Sequence, residues 1–341
     1  VRELLAVGIE STPRVAVAPT RRLFGQVDVQ PLAPLTAPEY DVGFVPSLDS
    51  YAGDRTARLN LHAPLWFEDL PLVLALHTRA SLTPTDLGGG VYQWQTTPAA
   101  QTPDYASATL VWQTRGSVAL QMVGCCAETL TLSGTANANQ PVRLDHSYLG
   151  RFPTVVAVPT VPDGSRTGAL AALARCYLDV IWFGTTPVPG TLQQFQVQWQ
   201  YPVRTVRLGD GQADWHDVER GDRRCAARLI ARFNAAALAE IAAWQTVQHR
   251  SLRLEIVNAP GGTSGGYGLE PYGQTPYGGS YATSTARLWV DLAGDWQAVE
   301  LGRAGATSVV ALTLLAHGRD DLSGADTRWS VTTTTGSLAA A

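Results

Sequence analysis

Six histidines, at positions 62, 77, 146, 216, 249 and 317, are spread so that none falls into an HxH, HxxxH or HExxH arrangement. No local stretch therefore offers two imidazoles to one metal ion. Asp145-His146-Ser147 holds three triad residue types in a row, but strand neighbours point to opposite faces and cannot relay a proton among themselves. The carboxylate pairs Glu68-Asp69 and Asp320-Asp321 read as turns and helix starts, since a glycosidase needs two acids facing one cleft. The glycine-rich stretches lack the lysine, the helix context and the downstream acid of a phosphate-binding loop or dinucleotide fingerprint. Cys125, Cys126, Cys176 and Cys225 give neither a disulfide framework nor a CxxC knuckle and read as small buried hydrophobes. The expectation is a protein without catalytic, cofactor-binding or metal-binding residues.

The most unusual pattern is aromatic. Tyr267, Tyr272 and Tyr277 are each followed by glycine, and Tyr281 closes a Gly-rich run that begins at Gly261. A Gly/Pro-rich connection longer than about 12 residues is usually functional or disordered, and tyrosine supplies contact area with a polar handle. These four tyrosines are the candidate assembly loop. Stacking on a carbohydrate is the alternative use.

Such a loop needs a scaffold, and composition shows that one can be built. The chain has 341 residues, is 45% hydrophobic and 16% charged, enough for one large domain or two ordinary ones. The net charge of -4 comes without a block of like charges, and all 25 basic residues are arginine. This pattern excludes a basic nucleic-acid grip. No apolar run reaches the 18 residues of a membrane span, and Val1–Ser11 lacks the layout of a secretory signal.

Period-two alternation dominates, as in "SVALQMV", "ETLTLSG", "PVRLDHSYL", "FQVQWQY" and "TARLWVDL", so the chain is mainly β. It also repeats itself. Gln26-Val27-Asp28-Val29-Gln30 returns as Gln196-Val197-Gln198-Trp199-Gln200, and Ala57-Arg58-Leu59 as Ala227-Arg228-Leu229, both 170 positions on. Gln140–Gly150 is similar to Ser308–Gly318. Each half has one helix-like stretch, Pro64–Thr78 and Asn234–Gln248; in the second, Asn234 is a plausible N-cap, and Leu238, Ile241, Trp244 and Val247 line one face. The Tyr-Gly run stands where the first half has only Ala99–Asp104, an apparent insertion. Ser165–Cys176 allows a short helix, and Pro153, Pro159 and Pro162 mark the linker. The expected organisation is two tandem β-sandwich or barrel domains, residues 1–155 and 156–341, each with one flanking helix and the second with a loop insertion at about 261–280.

Two passages carry a family resemblance: "VGIESTPRVAVAPTRRLFGQ" (Val7–Gln26) and "SVALQMVGCCAETLTLSGTANANQPVRLDHSYLG" (Ser117–Gly150). With "RTARLNLHAPLWFEDLPLVLALH" between them, they resemble the major tail tube proteins of long, non-contractile-tailed bacteriophages. Gly8, Glu10, Val15, Ala16, Ala18, Pro19 and Thr20 match the family's opening stretch, and Gly124-Cys125 its "GC" hairpin. Arg14 stands where a glycine is common. The resemblance covers residues 7 to 150 and reaches the second half through the repeat.

It implies structural work rather than turnover. Tail tube domains form six-fold rings around an inner β-barrel, so a duplicated chain implies a trimeric, pseudo-six-fold ring that stacks into a tube for delivering DNA. The implied location is the virion tail, after assembly in the host cytoplasm. The implied partners are other copies, the tape measure and terminator proteins, and genomic double-stranded DNA passing without specific binding; no cofactor and no membrane are implied. A conduit should not grip phosphates, which makes Asp28, Asp41, Glu128, Asp145 and Glu300 candidate lining acids. Stacking contacts are expected from Pro31–Pro46, the terminal arm beginning at Thr327, or the tyrosine loop. The alternatives are a carbohydrate- or receptor-binding sandwich, a glycosidase or esterase, and another tail ring such as a terminator or baseplate protein.

Overall fold

The computed structural model describes residues 4–32, 35–36, 51–52, 55–78, 83–96, 106–113, 118–135, 140–161, 167–169, 174–178, 192–206, 217–258, 286–304, 307–317, 327–334 and 336. The first half contains β1 (Leu4–Ile9), β2 (Arg21–Phe24), β3 (Gln26–Leu32), β4 (Leu35–Thr36), β5 (Tyr51–Ala52), β6 (Thr56–Pro64), helix α1 (Leu70–Thr78), β7 (Thr85–Gly88), β8 (Val91–Thr96), β9 (Ala108–Gln113), β10 (Val118–Thr135), β11 (Arg143–Arg151) and β12 (Thr154–Ala157). The second contains β13 (Arg175–Leu178), β14 (Leu192–Gln200), β15 (Val203–Val206), β16 (Asp217–Arg220), β17 (Arg224–Arg232), helix α2 (Ala235–Gln245), β18 (His249–Val257), β19 (Arg287–Ala304), β20 (Thr307–Ala316) and β21 (Thr327–Thr333). The mainly β expectation is met.

Every described pairing is antiparallel. The largest sheet runs β3-β6-β11-β10-β14-β17-β20-β19. It is open, because no described pairing joins β3 back to β19. The two 18-residue strands β10 and β19 are much longer than the usual five or six residues and serve two sheets each. The early part of β10 joins β2-β1-β9-β10-β12. The early part of β19 joins β13-β18-β19-β21-β8-β7.

Glycine marks both transfers between sheets. Gly124 has φ +67 beside the register shift at Met122/Cys125, a left-handed conformation that costs a side chain about 1–2 kcal/mol. At Gly294 an added Cβ would lie 2.0 Å from the Leu315 carbonyl oxygen, so no other residue fits the ladder there.

Two apolar clusters fill the interior. One packs Leu5, Val7, Leu59, Leu61, Leu110, Trp112, Met122 and Tyr148 between the sheets of the first half. The other spans both halves, from Leu130, Leu132 and Leu144 to Phe195, Trp199, Leu288 and Trp329. Helix α1 contributes to both, with Leu72 and Leu76 in the first cluster and Leu70, Val73 and Leu74 in the second. A helix that is apolar all round is a buried helix.

Several local expectations change. Asn234 does cap α2, accepting from the Ala237 N–H at 3.0 Å. The helix nevertheless turns Ala237, Glu240 and Ala243 inward and leaves Leu238, Trp244 and the following Val247 exposed. The reason is polar: the buried Glu240 carboxylate accepts from Arg250 Nε at 3.0 Å and Trp296 Nε1 at 2.8 Å, and leaving those donors unpaired costs more than exposing an alkyl chain. Within Ser165–Cys176, Gly168 bridges Trp66 and Arg175–Cys176 begin β13, so the described part is extended rather than helical. The arm at Thr327 is not free for stacking over its first residues: β21 lies between β19 and β8, with Trp329 against Trp199 at 4.4 Å.

Candidate assembly surface

The two passages that carried the family resemblance meet at one buried carboxylate. Glu10 accepts from Ser107 Oγ (2.6 Å), Thr109 Oγ1 (2.9 Å), the Arg14 N–H (2.8 Å) and the Gly124 N–H (2.9 Å). Four donors satisfy both oxygens of a charge that is otherwise costly to bury. Arg14 has φ +70, the left-handed conformation expected of the glycine common at that place. Burial, then repulsion from Glu10, pushes the Cys125 thiol well above its ordinary pKa, which makes it an inert core residue rather than a nucleophile. Cys126 and Cys225 are buried thiols as well.

The four-strand order recurs along the large sheet, as β3-β6-β11-β10 and then β14-β17-β20-β19. Both long strands carry a bulge at corresponding places, between Ala127 and Thr129 and between Trp296 and Ala298. Beyond the bulge, one ladder crosses Thr129, Ser147, Asn60 and Asp28, and its counterpart crosses Ala298, Thr313, Arg228 and Gln196. Asp28 is thus equivalent to Gln196, whereas the sequence match aligns it with Gln198. The two-residue slip leaves every side chain on its original face, because the strand period is two.

The outer strands correspond too. β9 precedes β10 as β18 precedes β19, with β1 and β13 on one side and β12 and β21 on the other. The Tyr-Gly run therefore joins the β18–β19 hairpin, and its counterpart is the 114–117 connection rather than Ala99–Asp104. The first half has its own addition in the β7–β8 hairpin, which crosses over to pair with β21. Tyr267, Tyr272, Tyr277, Tyr281, Asp41 and Asp320-Asp321 lie outside the described residues.

The other four candidate acids share one face of the large sheet. Glu128 makes a two-pronged pair with Arg58 at 2.6 and 2.9 Å; this bond is the main cause of the raised Arg58 pKa. Asp145 lies 3.1 Å from His62 Nδ1 on the adjacent strand, Glu300 accepts from Arg228 at 3.3 Å, and Asp28 accepts from Gln30 at 3.2 Å. Arg143, Arg224 and Arg232 occupy alternating exposed positions of the same face. The surface is thus of mixed charge: Glu128 and Glu300 are paired with arginines, while Asp28 is met by an amide and Asp145 by an imidazole. Between them runs a neutral seam where Thr129, Thr131 and Ser133 of β10 oppose Gln200, Gln198 and Gln196 of β14.

Asp145-His146-Ser147 forms no relay: Asp145 faces His62, while the buried His146 Nδ1 lies 2.8 Å from the Tyr148 hydroxyl on the other face. Burial, and secondly the charge of His62, lowers the His146 pKa to about 3. Glu68 is buried, accepting from the Thr167 N–H at 2.8 Å.

The structure also groups three residues that local spacing missed. His249, Asp295 and His317 come from three separate parts of the second half and place their donor atoms within 4.8 Å of one another. No sequence motif could have shown it, because the partners are brought together by strand pairing.

No protein-family model and no curated protein matches this chain. No helix among the described residues is long and apolar enough to cross a membrane.

Proposed function

We propose that this chain is a ring-forming tail tube protein without catalytic turnover, whose two β-sandwich halves act as tandem tube domains. Three copies join edge to edge into a pseudo-six-fold ring, and rings stack into a phage tail tube that passes double-stranded DNA. The observation that carries this reading is the β10–β14 ladder. It joins one four-strand set to a second of the same order, pairing Thr129–Thr135 with Gln200–Gln194. Among the described residues, β3 is paired only with β6, and Ala298–Ala304 of β19 only with β20. These two edges, which have no second strand partner among the described residues, are the counterparts of β14 and β10.

The same junction repeated between copies pairs Ala298–Ala304 with Leu32–Gln26 of the next molecule. Leu301, 68% exposed in the single chain, then faces Val29, as Leu132 faces Val197 inside the chain, where both are fully buried. An open edge of this kind is a template for another chain. Three copies supply about two dozen strands, beyond the roughly 16–18 that already enclose an aqueous channel. On this reading the wall is neutral polar at the seam and interleaves arginines with its acids, two of which they pair, so it neither grips nor strongly repels phosphates.

The test is negative-stain microscopy of concentrated protein together with cross-linking of Val29→Cys/Leu301→Cys. Striated tubes and a covalent trimer under oxidising conditions are expected. Small particles at every concentration, with no cross-link, would return the chain to the monomeric binding-sandwich reading.

A further inference from the structure

We propose that His249, Asp295 and His317 form a binding site for a divalent transition-metal ion of the zinc class. His249 opens β18 directly opposite Asp295 on β19. His317 follows β20 and is held in place by its backbone N–H, which donates to the Ala293 carbonyl at 3.0 Å. Each oxygen of Asp295 faces one imidazole: Oδ1 meets Nδ1 of His249, and Oδ2 lies 2.7 Å from Nε2 of His317. The rings meet edge to face, at 5.4 Å and 76°, so their nitrogens converge on the carboxylate instead of stacking away from it.

Two imidazoles and one carboxylate suit zinc, nickel, copper or iron, whereas calcium and magnesium prefer all-oxygen shells. Around a tetrahedral ion with bonds near 2.1 Å, donors stand about 3.4 Å apart. All donor separations lie within 4.8 Å, and side-chain rotation of the imidazoles opens the short contacts to Asp295, 2.7 Å for His317, and brings the wider separations to that value. All three side chains are about a third to two-fifths exposed, which leaves room for a water as a further ligand. The site sits beside Gly294, where β19 passes from one sheet to another and no Cβ fits. An ion here ties β18, β19 and the end of β20 together at the corner that orients the Ala298–Ala304 edge. The ligands are all within one chain, so the site does not depend on the tube reading.

The experiment uses chelator-treated full-length protein, followed by calorimetric titration and thermal unfolding with Zn²⁺ and separately with Mg²⁺. One Zn²⁺ per chain is expected, with a rise in Tm of at least ~2 °C at 100-fold excess over Kd. Mg²⁺ should leave Tm unchanged. Binding should be lost in His249→Ala and His317→Ala, checked for native circular dichroism, and kept in His62→Ala. Absence of zinc binding to the wild-type chain, an equal effect of Mg²⁺, or undiminished binding in the folded His249→Ala/His317→Ala variant overturns the proposal.

Discussion

The two helices occupy equivalent places in the two halves yet have different surroundings. α1 is roofed on one side by the first half's core and on the other by the cluster that extends into the second half, so Leu70, Leu72, Val73, Leu74 and Leu76 are all at most 1% exposed. Among the described residues α2 lies mainly against β19, through Ala237, Glu240 and Ala243, and leaves Leu238 at 52% and Trp244 at 38% exposure. The difference leaves α2 with an apolar patch exposed among the described residues, and a patch of this kind often marks an interaction site.

The largest expected effect separates the helices directly. Leu74→Ala should destabilise the isolated chain by about 2–5 kcal/mol, read by urea unfolding, whereas Leu238→Ala should stay within ~0.5 kcal/mol. Leu238→Asp sharpens the contrast: its monomer unfolds like wild type, but tube formation by light scattering is lost. Tubes unaffected by that substitution would break the parallel between the helices.

Next in size is an acid-side effect confined to the first half. His146 stands between Leu61 and Leu130, and the equivalent rung of the second half is Leu312 between Leu229 and Val299. Burial holds the folded His146 pKa near 3, below the unfolded value of about 6.5. The unfolded chain therefore binds the extra proton, and stability falls as pH drops from about 6.5 towards 3, by at most ~1.4 kcal/mol per pH unit. His146→Leu, which copies the second half, should flatten that part of the pH dependence; an unchanged slope would place the acid sensitivity elsewhere.

A smaller change is expected at Arg14. Arg14→Gly relieves a left-handed side chain but adds chain entropy to the unfolded state, so a gain of about 0–1 kcal/mol is expected by thermal unfolding. Smallest is the Arg228–Glu300 pair, 51% and 68% exposed. Glu300→Gln should alter monomer stability by no more than a few tenths of a kcal/mol.

Much of the fold was legible in the residues. Alternation located the principal strands, Asn234 located a helix start, and repeated short stretches matched the strand order that recurs along the large sheet to within an even slip. The choice of the α2 face was not legible, because apolar spacing counted Leu238 and Trp244 and had no knowledge of Arg250 and Trp296, the donors that draw Glu240 inward. Nor was the destination of β8, since an alternating strand shows which of its faces is apolar but not which edge it will join. Asp28, Glu128, Asp145 and Glu300, chosen as candidate lining acids, fall on one face of the large sheet, while the interleaved arginines that pair with or offset them were overlooked.

The amino-acid sequence alone determined the period of each strand, the recurrence of short stretches and the residues available for burial, because these depend on side-chain type and on spacing along the chain. Only the tertiary structure decided which edges meet, which edges stay open, and that His249, Asp295 and His317 become neighbours. Antiparallel pairing brings together residues of any sequence separation, so those outcomes arise from the competition among all the strands for partners and from no local stretch.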